Sequence, residues 1–156
     1  MPDMLVKLYD LPPVEPLGAQ LRAAGVDVRR ALAPEKHLVV DWVRSTFGGH
    51  WASECETCFA NHPVSCFVAT EGGKCVGFAC YEATCRDFFG PTGVAEAARK
   101  RGLGKALLLA CLHAMQAEGY AYAIIGGAGP TDFYQKAAEA TVIEGSKPGI
   151  YRGLLR

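Results

Sequence analysis

The sequence lacks an excess of charge of either sign, and it has no long apolar run. Sixteen basic and sixteen acidic residues balance over 156 residues, so no broad electrostatic surface for nucleic acid is predicted. No stretch has the length and apolar character of a membrane span. The first residues, Met1 to Met4, do not follow the basic-then-apolar order of a signal peptide. We therefore expect a cytoplasmic protein that binds neither nucleic acid nor membranes.

A complete zinc motif is also missing, although the sequence contains seven cysteines. Cys55 and Cys58 have C-x-x-C spacing, but a zinc site needs a second pair of ligands, and the sequence offers none. The other five cysteines lie singly among apolar residues, where a thiol packs as a small hydrophobic group. We expect reduced structural thiols and no metal. A redox or metal role for Cys55 and Cys58 is the competing hypothesis.

Two common nucleotide-binding motifs are absent as well. A dinucleotide-binding fold would show G-x-G-x-x-G, but the third glycine is missing after Gly102-Leu103-Gly104. The phosphate-binding loop of nucleoside triphosphatases, G-x-x-x-x-G-K-[ST], does not occur anywhere in the chain. Both of these nucleotide-binding classes are therefore excluded.

The chain does contain a basic, glycine-spaced turn between an apolar segment and a long amphipathic helix. Glycines at 102 and 104 let the backbone approach a ligand closely, and the first N–H groups of the helix lack helical partners. The helix dipole adds partial positive charge at the same point. Three cations, Arg99, Lys100 and Arg101, precede the turn, and Lys105 follows it. This pattern predicts a binding site for a polyphosphate.

The turn resembles the R-x-x-G-x-G signature of the GCN5-related N-acetyltransferase (GNAT) superfamily. Arg99, Gly102 and Gly104 occupy the motif positions, and Val94 is the apolar residue that ends the preceding strand. The resemblance implies that acetyl-coenzyme A is the cosubstrate. It also implies that the loop from Arg99 through Leu103 to Lys105 holds the pyrophosphate, and that the pantetheine follows the strand edge from Thr92 to Val94.

A second segment, Asp132-Phe133-Tyr134-Gln135-Lys136, resembles the F-Y-x-K that begins the last helix of many of these enzymes. The resemblance implies that Tyr134 is the general acid that protonates the leaving thiolate of coenzyme A. For the general base, Glu82 at the end of the fourth strand has the matching position, and His50 is an alternative. The sequence departs from the common pattern at Gly127 and Pro130, where asparagine and alanine are frequent.

The order of predicted elements extends this resemblance over residues 26–156. A strand is followed by two helices, three strands, a long helix, a strand, a helix and closing strands at 142–144 and 150–155. This order is similar to the GNAT fold, an α/β architecture with a mixed central sheet flanked by helices. Residues 1–25 are predicted as an additional strand and helix. Homodimers are common in the superfamily, and the N-terminal or C-terminal strands are candidate interfaces.

The function predicted on this basis is direct transfer of an acetyl group to an amine of a small molecule or peptide. No cysteine lies in a recognisable nucleophile setting, so no covalent acetyl-enzyme is expected. A non-catalytic module that binds coenzyme A is the alternative. The sequence contains no motif that identifies the acceptor.

Overall fold

A computed structural model describes the whole chain, residues 1–156, and contains one seven-stranded sheet. The strands are β1 (Met4–Lys7), β2 (Val26–Arg30), β3 (Cys66–Glu71), β4 (Lys74–Tyr81), β5 (Phe88–Val94), β6 (Tyr122–Ile125) and β7 (Thr141–Val142). The helices are α1 (Leu17–Ala23), α2 (Lys36–Phe47), α3 (Gly49–Cys58), α4 (Leu103–Ala117) and α5 (Thr131–Ala138). No helix is both long enough and apolar enough to span a lipid bilayer.

The sheet is mixed, as the sequence predicted. Its order is β2-β3-β4-β5-β6-β1-β7, and every neighbouring pair is antiparallel except β5 with β6. The parallel pair requires a crossover connection, and α4 supplies it. The chain therefore enters α4 directly from the end of β5. The basic turn therefore lies at the end of the middle strand of the sheet.

The long helix α4 covers one face of the sheet because most of its residues are apolar. Leu107, Leu108, Leu112 and Met115 are completely buried in the larger core, which also holds residues of α1, α5 and the central strands. Leu108, Leu112 and Met115 follow one another at spacings of four and three residues, which puts them on one side of the helix. Burial of these side chains anchors the first turn of α4 against the sheet, so the basic turn before it has a rigid base.

A smaller core fills the opposite face, beneath α2 and α3. Val39, Val40 and Val43 of α2 pack there with Ala52 of α3 and with Phe78 of β4. Residues on β3 and β4 alternate between this core and the larger one, as expected for strands that are covered on both faces. The pair α2 and α3 consequently lies close to β4 and β5 and forms one wall of the cleft described below.

The N-terminal strand β1 lies inside the sheet. It pairs with β6 on one side and with β7 on the other, and Met4 and Val6 are fully buried in the larger core. Residues predicted as an addition to the domain therefore share its sheet and its core. On its outer side β1 pairs with β7 only at Met4 and Leu5.

The closing strands differ from the prediction. Only Thr141 and Val142 pair, with Leu5 and Met4, and the strand predicted at 150–155 is absent. The sheet position beside β6 is already filled by β1. Residues 149–151 instead form one short turn of 3-10 helix, and positive φ angles at Gly149 and Gly153 reverse the chain. The C-terminal segment thus passes over the end of the sheet, beside the cleft.

Candidate active site

The cleft begins where β5 and β6 separate. These parallel strands pair only where β5 begins and β6 ends, Phe88 with Ile124 and Phe89 with Ile125, and the pairing stops before Gly90. Beyond that point Thr92 and Val94 pair with β4 alone. The β5 edge therefore keeps backbone N–H and C=O groups that face an open gap. An extended ligand with amide groups could pair there as an added strand does.

The basic turn after β5 has a defined backbone. Lys100 and Gly102 both adopt left-handed conformations, with φ of 63° and 89°. A Cβ atom at Gly102 would lie 2.9 Å from Leu17 Cδ1, the end of a side chain that can move, so it is the left-handed conformation that favours glycine there. The Arg99 Nε group donates to the Val94 carbonyl at 3.2 Å and ties the turn to the strand. The turn is thus held in shape before any ligand binds.

The N-terminus of α4 presents free N–H groups toward the same place. The first backbone hydrogen bond of the helix runs from Ala106 N–H to Gly102 O at 3.0 Å. The N–H groups of Leu103, Gly104 and Lys105 therefore have no helical acceptor. A Cβ atom at Gly104 would lie 3.7 Å from Phe133 and 3.9 Å from Val94, in ordinary contact, so this glycine leaves space rather than relieving a clash. Free N–H groups, the helix dipole and open space together fit an anionic group.

A cavity of about 520 Å³ surrounds this helix end, and we call it the loop cavity. No acidic residue lines it, whereas three cations do: Arg99, Lys100 and Lys105. Gly93 leaves no room for a Cβ atom because the tip of the Phe47 ring points at it, and Phe47 also lines the loop cavity. The remaining predicted binding residues that line the loop cavity are Thr92, Val94, Gly102, Leu103 and Gly104.

Arg101 is the one predicted binding residue outside the loop cavity. Its guanidinium forms a two-pronged ion pair with Glu71 at the end of β3, with N–O distances of 2.7 and 3.2 Å. The ion pair directs the side chain away from the helix end. Arg101 therefore forms a surface ion pair with the β3–β4 hairpin, and its side chain does not line the loop cavity as its predicted role would require.

A second cavity, of about 360 Å³, lies on the other side of the cleft, and we call it the tail cavity. Trp51 and Glu54 of α3, Thr84, and Pro148 and Tyr151 of the C-terminal segment line it, together with the early part of β5 and the end of β6. The two cavities share four residues: Trp51, Thr92, Gly129 and Tyr134. A ligand in one cavity would therefore contact a ligand in the other.

Tyr134 lies at this junction, near the start of α5. Its side chain is only 6% exposed, and its ring packs edge-on against Phe89 and Phe133. Burial raises the pKa of the hydroxyl to about 12, so the group keeps its proton at neutral pH. The hydroxyl donates to no protein acceptor, although a tyrosine with a purely structural role usually does when buried. The hydroxyl is therefore protonated and without a protein partner, on a ring that its neighbours hold in place.

The two residues predicted as general bases do not reach the cleft. The Glu82 carboxylate accepts a hydrogen bond from the Asp87 N–H at 2.5 Å and closes the turn between β4 and β5. The His50 Nε2 atom lies 2.9 Å from the Leu155 carbonyl at the surface. Neither residue lines the loop cavity or the tail cavity. The structure gives both of them a role in holding chain segments together.

The acidic residue that does line the tail cavity is Glu54, which the sequence analysis missed. The Thr84 hydroxyl donates to its carboxylate at 2.5 Å, and the Tyr151 hydroxyl lies nearby. Burial and the Glu54 charge raise the pKa of Tyr151. The available signal was the spacing of Trp51 and Glu54, which puts them on one face of α3. That face could be assigned to the cleft only once the packing of α3 was known.

The cysteine cluster in the structure is not the Cys55–Cys58 pair that the C-x-x-C spacing suggested. All seven are free, and the Sγ atoms of Cys55, Cys66 and Cys80 lie within 4.8 Å of one another in the smaller core. These three are the residues that could hold a soft metal ion. Burial raises the pKa of Cys80. Hydrogen bonds with Cys66 and Cys80 lower the pKa of Cys55, which makes it the thiol of lowest pKa in the cluster. None of the three lines either cavity.

Residues 1–3 support the loop between β6 and α5, which borders both cavities. The Asp3 carboxylate accepts a hydrogen bond from Gly127 N–H at 2.8 Å, and Pro2 O accepts one from Ala128 N–H at 2.7 Å. Asp3 is 8% exposed, so its bond is shielded from water. These bonds fix the loop at the position where the sequence departs from the common pattern of the superfamily.

Comparison with known proteins agrees with this geometry. The sequence profile of the acetyltransferase (GNAT) family matches residues 36–138, which span α2 to α5. No curated protein sequence gives a significant match.

Several solved structures share the fold. A GCN5-related glucosamine N-acetyltransferase region in a fungal multi-domain GH3 β-N-acetylglucosaminidase superposes with a TM-score of 0.74 at 15% identity, covering 91% of this chain and 19% of that one. A GCN5-related N-acetyltransferase from Sphaerobacter thermophilus gives 0.72 at 19% identity, covering 91% and 48%. This chain therefore spans about half or less of the length of these two proteins.

An aminoglycoside N-acetyltransferase, AAC(6')-Iy, solved in complex with CoA, gives a TM-score of 0.52 at 17% identity, covering 72% of this chain and 86% of that one. At these identities the structural matches establish the fold. The profile match covers two thirds of the sequence and includes the basic turn and Tyr134. The chain belongs to the acetyltransferase (GNAT) family.

Proposed function

We propose that this chain is an N-acetyltransferase that moves the acetyl group of acetyl-coenzyme A directly to an amine. The observation that carries the proposal is the junction of two cavities at Tyr134, one of them lined by cations and free helix N–H groups. A protein that only bound the cofactor would have no need for the second cavity beside its reactive end. Family membership supports the same reaction.

In the proposed complex the pyrophosphate lies at the start of α4. The N–H groups of Leu103, Gly104 and Lys105 donate to its oxygens, and the Arg99 and Lys100 side chains add positive charge. The pantetheine arm follows the open edge of β5 from Val94 to Thr92, where its amides can pair with the backbone. This path leads the thioester from the loop cavity to Tyr134 at the boundary of the tail cavity.

The reaction needs three proton transfers. An acceptor that arrives as an ammonium must first become neutral, and Glu54 in the tail cavity takes that proton. The neutral amine attacks the thioester carbonyl and the C–N bond forms, after which the positively charged nitrogen of the tetrahedral intermediate loses a second proton to water. The intermediate then collapses and the C–S bond breaks. The Tyr134 hydroxyl gives its proton to the departing thiolate. Protons are then exchanged with solvent, and no covalent enzyme intermediate forms.

We assign the general base to Glu54 instead of Glu82 or His50, because only Glu54 lines the tail cavity. It is a carboxylate within the tail cavity, and the hydrogen bond from Thr84 fixes one of its oxygens. The other oxygen remains able to accept a proton. The predicted alternatives are each occupied by a backbone partner outside the cleft.

The binding part of the proposal is tested by Gly104→Val. The valine side chain would fill the space between Phe133 and Val94 and displace the phosphate from the helix end, so we expect the affinity for coenzyme A to fall by at least about 100-fold in titration calorimetry. Because φ at Gly104 is negative, the fold should be retained, and circular dichroism checks this.

A pair of lysine and arginine variants serves as the matched control. Lys105→Gln removes a cation that lines the loop cavity, and we expect affinity to fall about fivefold. Arg101→Gln removes an equal charge that points away, and we expect affinity to stay within about twofold. Unchanged affinity in Gly104→Val, or an Arg101 effect larger than the Lys105 effect, would refute the assignment of the loop.

A further inference from the structure

We propose that the tail cavity selects a compact amine with a single positive charge and an apolar or aromatic body. This inference rests on the proposed function and names the acceptor class. It excludes polycations and the termini of peptides as preferred acceptors. Three properties of the tail cavity carry it: its walls, its charges and its closure by the C-terminal segment.

The walls of the tail cavity are apolar on several sides. Trp51 comes from α3, Phe89 from β5, Ile125 from β6, and Pro148 and Tyr151 from the C-terminal segment. Aromatic and aliphatic faces bind an apolar body by removing both surfaces from water. Aromatic rings also attract a nearby ammonium group. An acceptor made only of hydroxyl groups and charges would lose hydration here without gaining enough partners.

The charges of the tail cavity match one ammonium group. Glu54 is the only acidic residue among the lining residues, and Lys147 is the only lysine or arginine. One carboxylate can neutralise one amine and then accept its proton. A second ammonium on the same molecule would find no second carboxylate, and at the exposed outer side it would meet the Lys147 charge. Polyamines and aminoglycosides are therefore disfavoured by like-charge repulsion.

The C-terminal segment limits the length of an acceptor. The Leu155 carbonyl is bonded to His50 at the start of α3, and Tyr151 packs so closely on β6 that a Cβ atom at Gly126 would lie 2.7 Å from its hydroxyl. The segment is thus attached on both sides of the cavity. The volume of about 360 Å³ is near the lower end for small-molecule sites. A peptide acceptor would have to fit its N-terminal residue into this volume beside the attached segment.

The test compares four acceptors by thiol release: 2-phenylethylamine, spermidine, kanamycin and a tetrapeptide with a free N-terminus. We expect kcat/KM for phenylethylamine to exceed each of the others by at least about tenfold. Lys147→Glu adds a carboxylate and removes the repulsion, so the ratio of phenylethylamine to spermidine should fall by about tenfold. Lys136→Glu is the control, because Lys136 is exposed on α5 and lines neither cavity.

The outcomes separate the acceptor class from the acetyl transfer reaction itself. A preference for spermidine, kanamycin or the peptide overturns the acceptor class and leaves acetyl transfer intact. An unchanged ratio in Lys147→Glu, with coenzyme A affinity preserved as a check of folding, also overturns the inference. Absence of thiol release above the rate without acceptor, for all four amines, refutes the proposed function and this inference with it.

Discussion

Tyr134→Phe isolates the proposed acid because it removes one hydroxyl and keeps the ring. The edge-on contacts with Phe89 and Phe133 involve only ring atoms, so packing is preserved. The hydroxyl has no protein partner, and its loss leaves no buried group unsatisfied. We therefore expect the free energy of unfolding to change by less than about 1 kcal/mol. Coenzyme A affinity should stay within about twofold, because the ring still borders the loop cavity.

Turnover should respond very differently. Without the acid, the thiolate must leave unprotonated or take a proton from water, and kcat should fall by about 100- to 1000-fold. This corresponds to about 3 to 4 kcal/mol of transition-state stabilisation. The assay is thiol release at saturating acetyl-coenzyme A. An acetyl thioester with a more acidic thiol needs less protonation, so the variant should recover part of its rate with that substrate.

Tyr9→Phe is the matched control for this substitution. Tyr9 is 55% exposed, its hydroxyl lies 3.5 Å from that of Tyr122, and neither tyrosine lines either cavity. Its kcat should equal that of the unsubstituted protein. A loss of less than about threefold in Tyr134→Phe, or an equal loss in both variants, would refute the acid role.

The remaining predictions concern pH, loop support and thiols. Because the pKa of Tyr134 is about 12, the acid stays protonated, and kcat should show no decline from about pH 8 to about pH 10; a decline there would contradict the assignment. As the pH is lowered kcat/KM should fall because less of the acceptor amine is neutral, and Glu54→Gln should lower kcat/KM by about 100-fold. Asp3→Ala leaves the Gly127 N–H without its buried acceptor, so urea unfolding should show a loss of about 1–2 kcal/mol together with weaker coenzyme A binding; unchanged values for both would contradict the proposed support of the loop. Exposed Cys85 should react quickly with a thiol reagent, the buried thiols Cys55, Cys58, Cys66, Cys80 and Cys111 should react only on unfolding, and metal analysis of freshly purified protein should find less than about 0.1 zinc per chain.

Local patterns in the sequence predicted much of the fold. The strand predicted at 88–94 and the helix beginning at Leu103 match the structure, because their apolar periodicity coincides with burial against the sheet. The turn at Gly72-Gly73 joins β3 and β4 as expected, with positive φ at both glycines. These elements are determined by residues close to one another in the chain.

The position of β1 could not be predicted in that way. A four-residue strand carries too little pattern to specify its neighbours, and its partners β6 and β7 lie more than 110 residues away. The position of β1 also explains why no strand forms at 150–155. Once β1 fills the sheet position beside β6, the C-terminal residues have no adjacent edge, and they line the tail cavity instead.

In the site, too, features set by residues close in sequence could be predicted, and features set by distant contacts could not. The R-x-x-G-x-G motif contains residues that line the loop cavity, since the loop and helix end are contiguous in sequence, and their binding of coenzyme A stays a prediction. It could not show that Arg101 prefers Glu71, because Glu71 lies 30 residues away on another turn. Glu54 was missed for the same reason: its role depends on how α3 packs against the cleft. The sequence favoured Glu82 by its position at a strand end, but a local hydrogen bond to Asp87 N–H holds that carboxylate elsewhere.

The central claim is that free N–H groups at the start of α4 hold the pyrophosphate of coenzyme A. A crystal structure of the chain with bound coenzyme A tests it most directly. The account predicts phosphate oxygens at about 3 Å from the N–H groups of Leu103, Gly104 and Lys105, with the sulfur close to the Tyr134 hydroxyl. Coenzyme A bound elsewhere, or phosphates held only by side chains away from the helix end, would contradict it.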